Sequence, residues 1–135
     1  MSRIRILLAD PNASMLAMLT ELLSEEFDII GAVNSGADAV RRSSELQPDL
    51  ILMDVVFDDR NGFELGHQLR GTVPNAKILY LSMYESPAFV DAAFVAGASG
   101  YVFKSRANSD LLKAIRAVCR GEKFDPITKV HRQKA

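Results

Sequence analysis

At 135 residues, 48% of them hydrophobic, the chain has room for one globular domain with a buried core and not for a second. Sixteen basic residues against seventeen acidic ones leave a formal charge of -1, which gives the chain as a whole no electrostatic draw toward nucleic acid or an anionic membrane. No apolar run approaches the roughly 18 residues of a membrane span, and Met1-Ser2-Arg3 leads to a short strand instead of a signal peptide, so the reading is of a soluble cytoplasmic protein.

Ile4 to Ala9 is an apolar strand run that ends in an acid, Asp10. Met15, Leu16, Leu19, Leu22 and Leu23 then cluster at spacings of three and four, which predicts an amphipathic helix over residues 13–25 with Asn12 as its cap. Asp28 to Val33 is the next strand run. Ser35-Gly36 opens a helix through Ala37, Ala39 and Val40 to Leu46, closed by Pro48, which disfavours helical geometry at the residue before it. Asp49-Leu50-Ile51-Leu52-Met53-Asp54 is an unbroken apolar run ending in a carboxylate, the pattern of a strand buried on both faces of a parallel sheet. After the turn-forming Asp58-Asp59-Arg60-Asn61-Gly62, a short helix runs from Gly62 to Arg70 with Phe63, Leu65 and Leu69. Its His67 has no second metal ligand nearby and reads as a surface histidine. Lys77 to Leu81 is the fourth strand run, ending in Ser82, and Ser86-Pro87 supplies a cap and a first-position proline for a helix to Ala96. Gly97-Ala98-Ser99-Gly100 turns into Tyr101-Val102-Phe103, which ends in Lys104. The last helix runs from about Asn108 to Arg120 with Leu111, Leu112, Ile115, Val118 and Cys119 as its buried stripe. Cys119 is the single cysteine, so no internal disulfide forms, and its place in that stripe makes it a small core residue.

Strand runs alternating with helical ones predict right-handed βαβ units and an α/β fold, a parallel sheet with helices on both faces. Ligands of such sheets bind outside the carboxyl ends of the strands. Those ends are Asp10, Asp54, Ser82 and Lys104: a carboxylate pair, a hydroxyl and an ammonium on one rim, which describes an anion-handling site. Each residue type ends strands routinely, and the convergence carries the reading. A small α/β enzyme or a flavin-binding electron carrier would use the same rim. Against those stand Asp10-Pro11-Asn12-Ala13, where a Gly-rich phosphate loop would follow the first strand, and the lack of a Ser-His-Asp set.

From about Ile4 to Gly121 the chain resembles a response-regulator receiver domain. The likeness is carried by Leu7-Leu8-Ala9-Asp10, by Met53-Asp54 with Gly62 eight residues on, by Leu81-Ser82, and most specifically by Ala96-Gly97-Ala98-Ser99-Gly100-Tyr101-Val102-Phe103-Lys104. The resemblance implies a flavodoxin-like doubly wound sheet of five parallel strands in the order 2-1-3-4-5, with a receiver over residues 1–121 and a tail or linker over 122–135. It implies that Asp54 accepts a phosphoryl group from a histidine kinase. Asp10, Asp54 and the Val56 backbone carbonyl would hold Mg2+, and Ser82 and Lys104 would bind the acquired phosphate. Ser82 and Tyr101 would form the switch, Tyr101 turning inward as the phosphate draws Ser82 toward it. Such a domain is a signalling module that promotes its own phosphorylation and dephosphorylation, not an enzyme. Ser105 and Gly121-Glu122-Lys123-Phe124 resemble regulators that continue into a helix-turn-helix DNA-binding output domain, absent from this chain. A homodimer is a further implied partner, with no direct nucleic-acid binding by this domain and no membrane.

Three positions depart from the family pattern. Pro11 stands where a second acid is usual and removes a carboxylate from the metal site, unless the Asn12 amide or Asp58 moves in. Asp58 replaces a usual proline, and Met83 follows Ser82 where a small residue is common, with Tyr84 beside it; both could narrow the path to Asp54. Slow or weak phosphorylation follows, and at its limit a phosphorylation-independent pseudo-receiver acting as a protein-interaction module. The basic run from Lys129 to Lys134 reads as a solvated terminus in preference to a nucleic-acid surface.

Overall fold

The computed structural model describes residues 2–131. In chain order the elements are β1 (Arg5–Ala9), α1 (Ala13–Leu23), β2 (Asp28–Val33), α2 (Gly36–Leu46), β3 (Leu50–Met53), α3 (Gly62–Thr72), β4 (Lys77–Ser82), α4 (Pro87–Val95), β5 (Gly100–Phe103), a 3-10 turn (Lys104–Arg106), α5 (Ala107–Cys119), β6 (Lys123–Asp125) and β7 (Lys129–His131). The expected order 2-1-3-4-5 is the order found, all parallel, and two short strands extend it: β6 parallel beside β5, then β7 antiparallel to β6.

Side-chain alternation along the strands splits the core in two. Leu7, Ala9, Ile51, Met53, Ile78, Tyr80, Tyr101 and Phe103 face α2, α3 and α4, whose Ala39, Leu65, Leu69, Val90 and Ala93 share that cluster. Ile6, Leu8, Leu50, Leu52, Leu79, Leu81 and Val102 face α1 and α5 through Leu19, Leu23, Leu111, Ala114, Ile115 and Val118. The starts of α1 to α4 are each held by a local side-chain cap. Asn12 accepts from the Met15 N–H, Ser35 from Asp38, Asn61 from Phe63 and Glu64, and Ser86 from Ala88 with Pro87 next. Two arginines of the first strand region close helix ends. The Arg3 guanidinium donates to the Ser24, Glu25 and Glu26 carbonyls after α1, and Arg5 donates to the Leu46 and Gln47 carbonyls at the end of α2.

Two expectations need correction. Leu22, counted in the apolar stripe of α1, is 39% exposed; the side of α1 turned to the sheet is Leu19 and Leu23, with Met15 and Leu16 packed partly against the same core. The segment after Gly121, read as a tail, forms β6 and β7. Phe124 supplies the reason: it is buried against the α5 face, and its N–H donates to Ser99 O at 3.0 Å, seating β6 against β5. Of the basic run, residues 132–135 lie outside the described residues. Among the described residues no helix is long and apolar enough to cross a membrane.

Candidate functional site

Parallel register brings the strand ends together. Ala9 pairs with Met53 and Ser82 with Phe103, so Asp10 and Asp54 emerge side by side, with Ser82 at the end of β4 and Lys104 just past the end of β5. The Asp54 N–H donates to Ala9 O at 3.0 Å, carrying the β1–β3 ladder right up to the acids.

Lys104 Nζ stands 3.0 Å from Asp10 Oδ2 and 3.0 Å from Asp54 Oδ2. The other oxygen of each carboxylate is held by backbone: Asp10 Oδ1 accepts the Asn12 N–H at 2.9 Å and Asp54 Oδ1 the Val55 N–H at 2.7 Å. Asp10 is 2% exposed and Asp54 8%, so the little solvent access lies on the Asp54 side. Burial by itself would lower the Lys104 pKa, but the hydrogen bonds and charges of Asp54 and Asp10 outweigh it and leave the ammonium's pKa above the ordinary lysine value. The cluster is therefore two carboxylates bridged by one firmly protonated amine.

Ser82 is fully buried, and its Oγ accepts the Tyr84 N–H at 3.0 Å. Tyr101, beside it, differs from expectation in its placement. Its ring is inward and 0% exposed, packed on Tyr80 and Phe103, and its hydroxyl donates to the Tyr84 carbonyl at 2.6 Å. Burial raises its pKa, partly offset by the Ser82 hydroxyl. Val56 is 47% exposed and sits opposite Asn61 in a narrow antiparallel bridge, whose hydrogen bonds run from Gly62 N–H to Val55 O and from Phe57 N–H to Arg60 O and so leave out the Val56 carbonyl.

The departures also fall into place. Pro11 lies next to Asp10 with no side-chain oxygen to offer. The Asn12 oxygen is committed to capping α1, and Asp58 is exposed on the turn, so neither makes up the missing acid; among the described residues no three acidic, histidine or cysteine groups converge on a metal-sized space. Met83 is 70% exposed and Tyr84 40%, with the Tyr84 ring stacked on Phe89, so these side chains lie on the surface and do not fill the site. His67 is exposed, as expected. Cys119 is half-buried, not fully in the core, and burial pushes its thiol up to about 11.

Asp10 and Asp54 bring carboxylate oxygens side by side on one rim. That donor chemistry fits a hard divalent cation such as Mg2+, with the balance of its ligands left to water. Sequence reasoning missed two contacts here. The Tyr84 carbonyl that receives Tyr101 is backbone and leaves no signature in residue types. Asp59, whose carboxylate accepts the Gly36 and Ala37 N–H groups at the start of α2, reads in sequence as one more turn acid.

The family model described as "Response regulator receiver domain" matches residues 6–116. Among curated proteins the chain is 34% identical over 126 residues to the response regulator protein VraR of Staphylococcus aureus (strain NCTC 8325 / PS 47), covering 91% of this chain and 60% of that protein. It is 34% identical over 121 residues to VraR of Staphylococcus saprophyticus, covering 88% and 58%. The chain thus spans about three-fifths of the length of these relatives. Among solved structures, a LuxR-family two-component response regulator from Aurantimonas sp. SI85-9A1 superposes with a TM-score of 0.84 at 31% identity, covering 89% of this chain and 87% of that one. The isolated receiver of RcsB from Salmonella enterica serovar Typhimurium, solved with the phosphomimetic BeF3-, gives a TM-score of 0.84 at 22% identity over 93% and 94%, a likeness of fold.

Proposed function

The chain belongs to the response regulator receiver family, and from that premise we propose that it is a phosphorylatable switch in which Asp54 takes a phosphoryl group from a histidine kinase. The observation that carries this reading is the Lys104 ammonium bridging Asp54 and Asp10 at 3.0 Å each. Asp54 has the exposed edge of the pair, and its carboxylate oxygen attacks phosphorus as the P–N bond to the kinase histidine breaks, giving an acyl phosphate. Lys104 faces the Oδ2 side of Asp54, where its fixed positive charge meets the charge that accumulates on the phosphoryl oxygens. Asp10 keeps the amine aimed there. Asp10, Asp54 and the Val56 carbonyl would hold Mg2+, which when bound neutralises charge on the transferring group.

The phosphate oxygens would then accept the Ser82 O–H, pulling on a hydroxyl whose oxygen already accepts the Tyr84 N–H. Tyr84 also receives Tyr101, so a shift of Ser82 reaches the loop and the α4 face beyond it through two hydrogen bonds. The relatives are longer than this chain, and a helix-turn-helix DNA-binding output domain is the proposed recipient of the signal, with a histidine kinase as partner, a receiver homodimer as the proposed assembly and the cytoplasm as the proposed location. Pro11 favours a second reading, a pseudo-receiver that acts by binding alone. Incubation with a small phosphodonor and Mg2+, followed by intact mass, separates the two: one phosphoryl adduct supports the first, and none, at any donor concentration, supports the second.

A further inference from the structure

The turn after β3 carries the Val56 carbonyl, and its internal contacts are local: the Val56–Asn61 bridge, the Phe57 N–H to Arg60 O, and Phe57 itself buried at its base. Its tip is tied elsewhere. Asp59 Oδ1 accepts the Gly36 N–H at 2.9 Å and Oδ2 accepts the Ala37 N–H at 3.0 Å. These amides open α2 and have no partner inside the helix, and a carboxylate there also meets the positive end of the helix dipole. The close approach requires glycine at position 36, since a Cβ there would lie 2.8 Å from Arg60 Cγ and 3.0 Å from its Cβ and Cδ. The Arg60 guanidinium continues to the Gln68 side chain on α3. Two consecutive turn residues thus fasten the turn to helices on either side.

We propose that Asp59 is a positioning residue for the metal site, clamping the turn onto α2 so that the Val56 carbonyl is held in one orientation. The inference rests on the receiver reading above. Mg2+ accepts little departure from octahedral geometry, so a ligand carbonyl on a loose turn loses affinity that a fixed one keeps. Asp59 touches neither metal nor phosphoryl group and acts through backbone, as groups behind metal ligands do. Its two amide hydrogen bonds lower its pKa, which keeps the clamp ionised at neutral pH.

The test is a Mg2+ titration followed by tyrosine fluorescence, with phosphorylation by a small donor read by intact mass over the same Mg2+ range. Four proteins are compared: wild type, Asp59→Asn, Gly36→Ala and Asp38→Asn. Asp59→Asn keeps the side-chain shape but turns an NH2 toward the helix amides. Gly36→Ala keeps every charge and drives Arg60 off α2. Asp38→Asn removes an equal charge from the same helix end, where Asp38 is exposed and paired with Arg41. The first two variants should raise the Mg2+ half-saturation about tenfold, the lower range for residues that orient metal ligands, with an unchanged phosphorylation rate at saturating Mg2+; Asp38→Asn should move neither. If Asp59→Asn lowers only the melting temperature and leaves half-saturation at the wild-type value, or if Asp38→Asn matches its effect, the positioning role is overturned while the receiver reading stands. A wild type that binds no Mg2+ is a different result: it overturns the receiver reading and this inference with it.

Discussion

Lys104 Nζ and Asp54 Oδ2 stand 3.0 Å apart with the lysine side chain 20% exposed and the aspartate side chain 11%, an ion pair well inside the protein surface. Removing the amine leaves Asp54 and Asp10 facing each other with their backbone hydrogen bonds alone. Lys104→Ala should therefore destabilise by about 2 kcal/mol, between the small worth of an exposed pair and the larger loss when a buried one is broken. The pair also sets a pH dependence. Because the folded pKa of Lys104 is raised, its contribution is full below the ordinary lysine value of 10.5 and fades as pH climbs through the folded value. Urea melts of wild type and Lys104→Ala should converge above pH 10.5 and differ at pH 7; a constant difference across that range would mean the amine acts by packing.

Asp54→Asn should abolish the phosphoryl adduct and leave the fold, since Asp54 follows β3 instead of lying within it and its Oδ1 bond to the Val55 N–H can pass to the amide oxygen. Far-UV circular dichroism reports the fold and intact mass the adduct. An adduct of the same mass in the mutant would move the acceptor to another residue.

Much of this was legible because the pattern and the chemistry coincide in the strands. Apolar runs bounded by turn residues marked β1, β3 and β4, and the residues at or just past their ends, Asp10, Asp54 and Ser82, belong to the candidate site. The misses share a different origin. Phe124 lies in a segment too short for periodicity, and only contact with α5 and β5 reveals it as core. Leu22 fits a spacing rule that says nothing of how wide the sheet beneath is. Tyr101 could be identified as the aromatic beside Ser82, yet whether it points in or out depends on the Tyr84 carbonyl, a backbone atom whose place is set by the whole β4–α4 loop. Asp59 is likewise chosen by geometry: its neighbour Asp58 is identical in type and makes no comparable contact.

Glu26 and Arg116 predict acid behaviour remote from the site. Arg116 on α5 donates to both Glu26 oxygens, at 2.8 and 2.5 Å, and this hydrogen bonding holds the Glu26 carboxyl below its ordinary 4.5. A depressed folded pKa means the contribution is present above 4.5 and is lost as pH falls through the folded value. Both side chains are over 40% exposed, so the effect is small and salt-sensitive. Glu26→Gln should melt slightly below wild type at pH 6 in low salt and level with it at pH 2; an equal gap at both would assign the effect to something other than this charge.

Pro11 offers the sharpest single substitution, because it sits beside Asp10 where one more carboxylate would complete the oxygen set. With Asn12 committed to the α1 cap and Asp58 out on the turn, no neighbouring side chain compensates for it. Pro11→Asp should tighten Mg2+ binding, since ligand charge dominates the affinity of hard cations for oxygen sites, and a tenfold gain corresponds to about 1.4 kcal/mol. The phosphorylation rate at limiting Mg2+ should rise with it. The same substitution works against the metal-free protein. A third acid next to Asp10 and Asp54 shares one ammonium among three carboxylates, so apo stability should fall and recover as Mg2+ is added. The crossing of the two melting curves, wild type above the variant without Mg2+ and below it at millimolar Mg2+, is the signature to measure by calorimetry. Should Pro11→Asp bind Mg2+ no better than wild type while folding normally, position 11 does not face the metal, and the proposed ligand set of Asp10, Asp54 and the Val56 carbonyl must take its cation from another side or work without one.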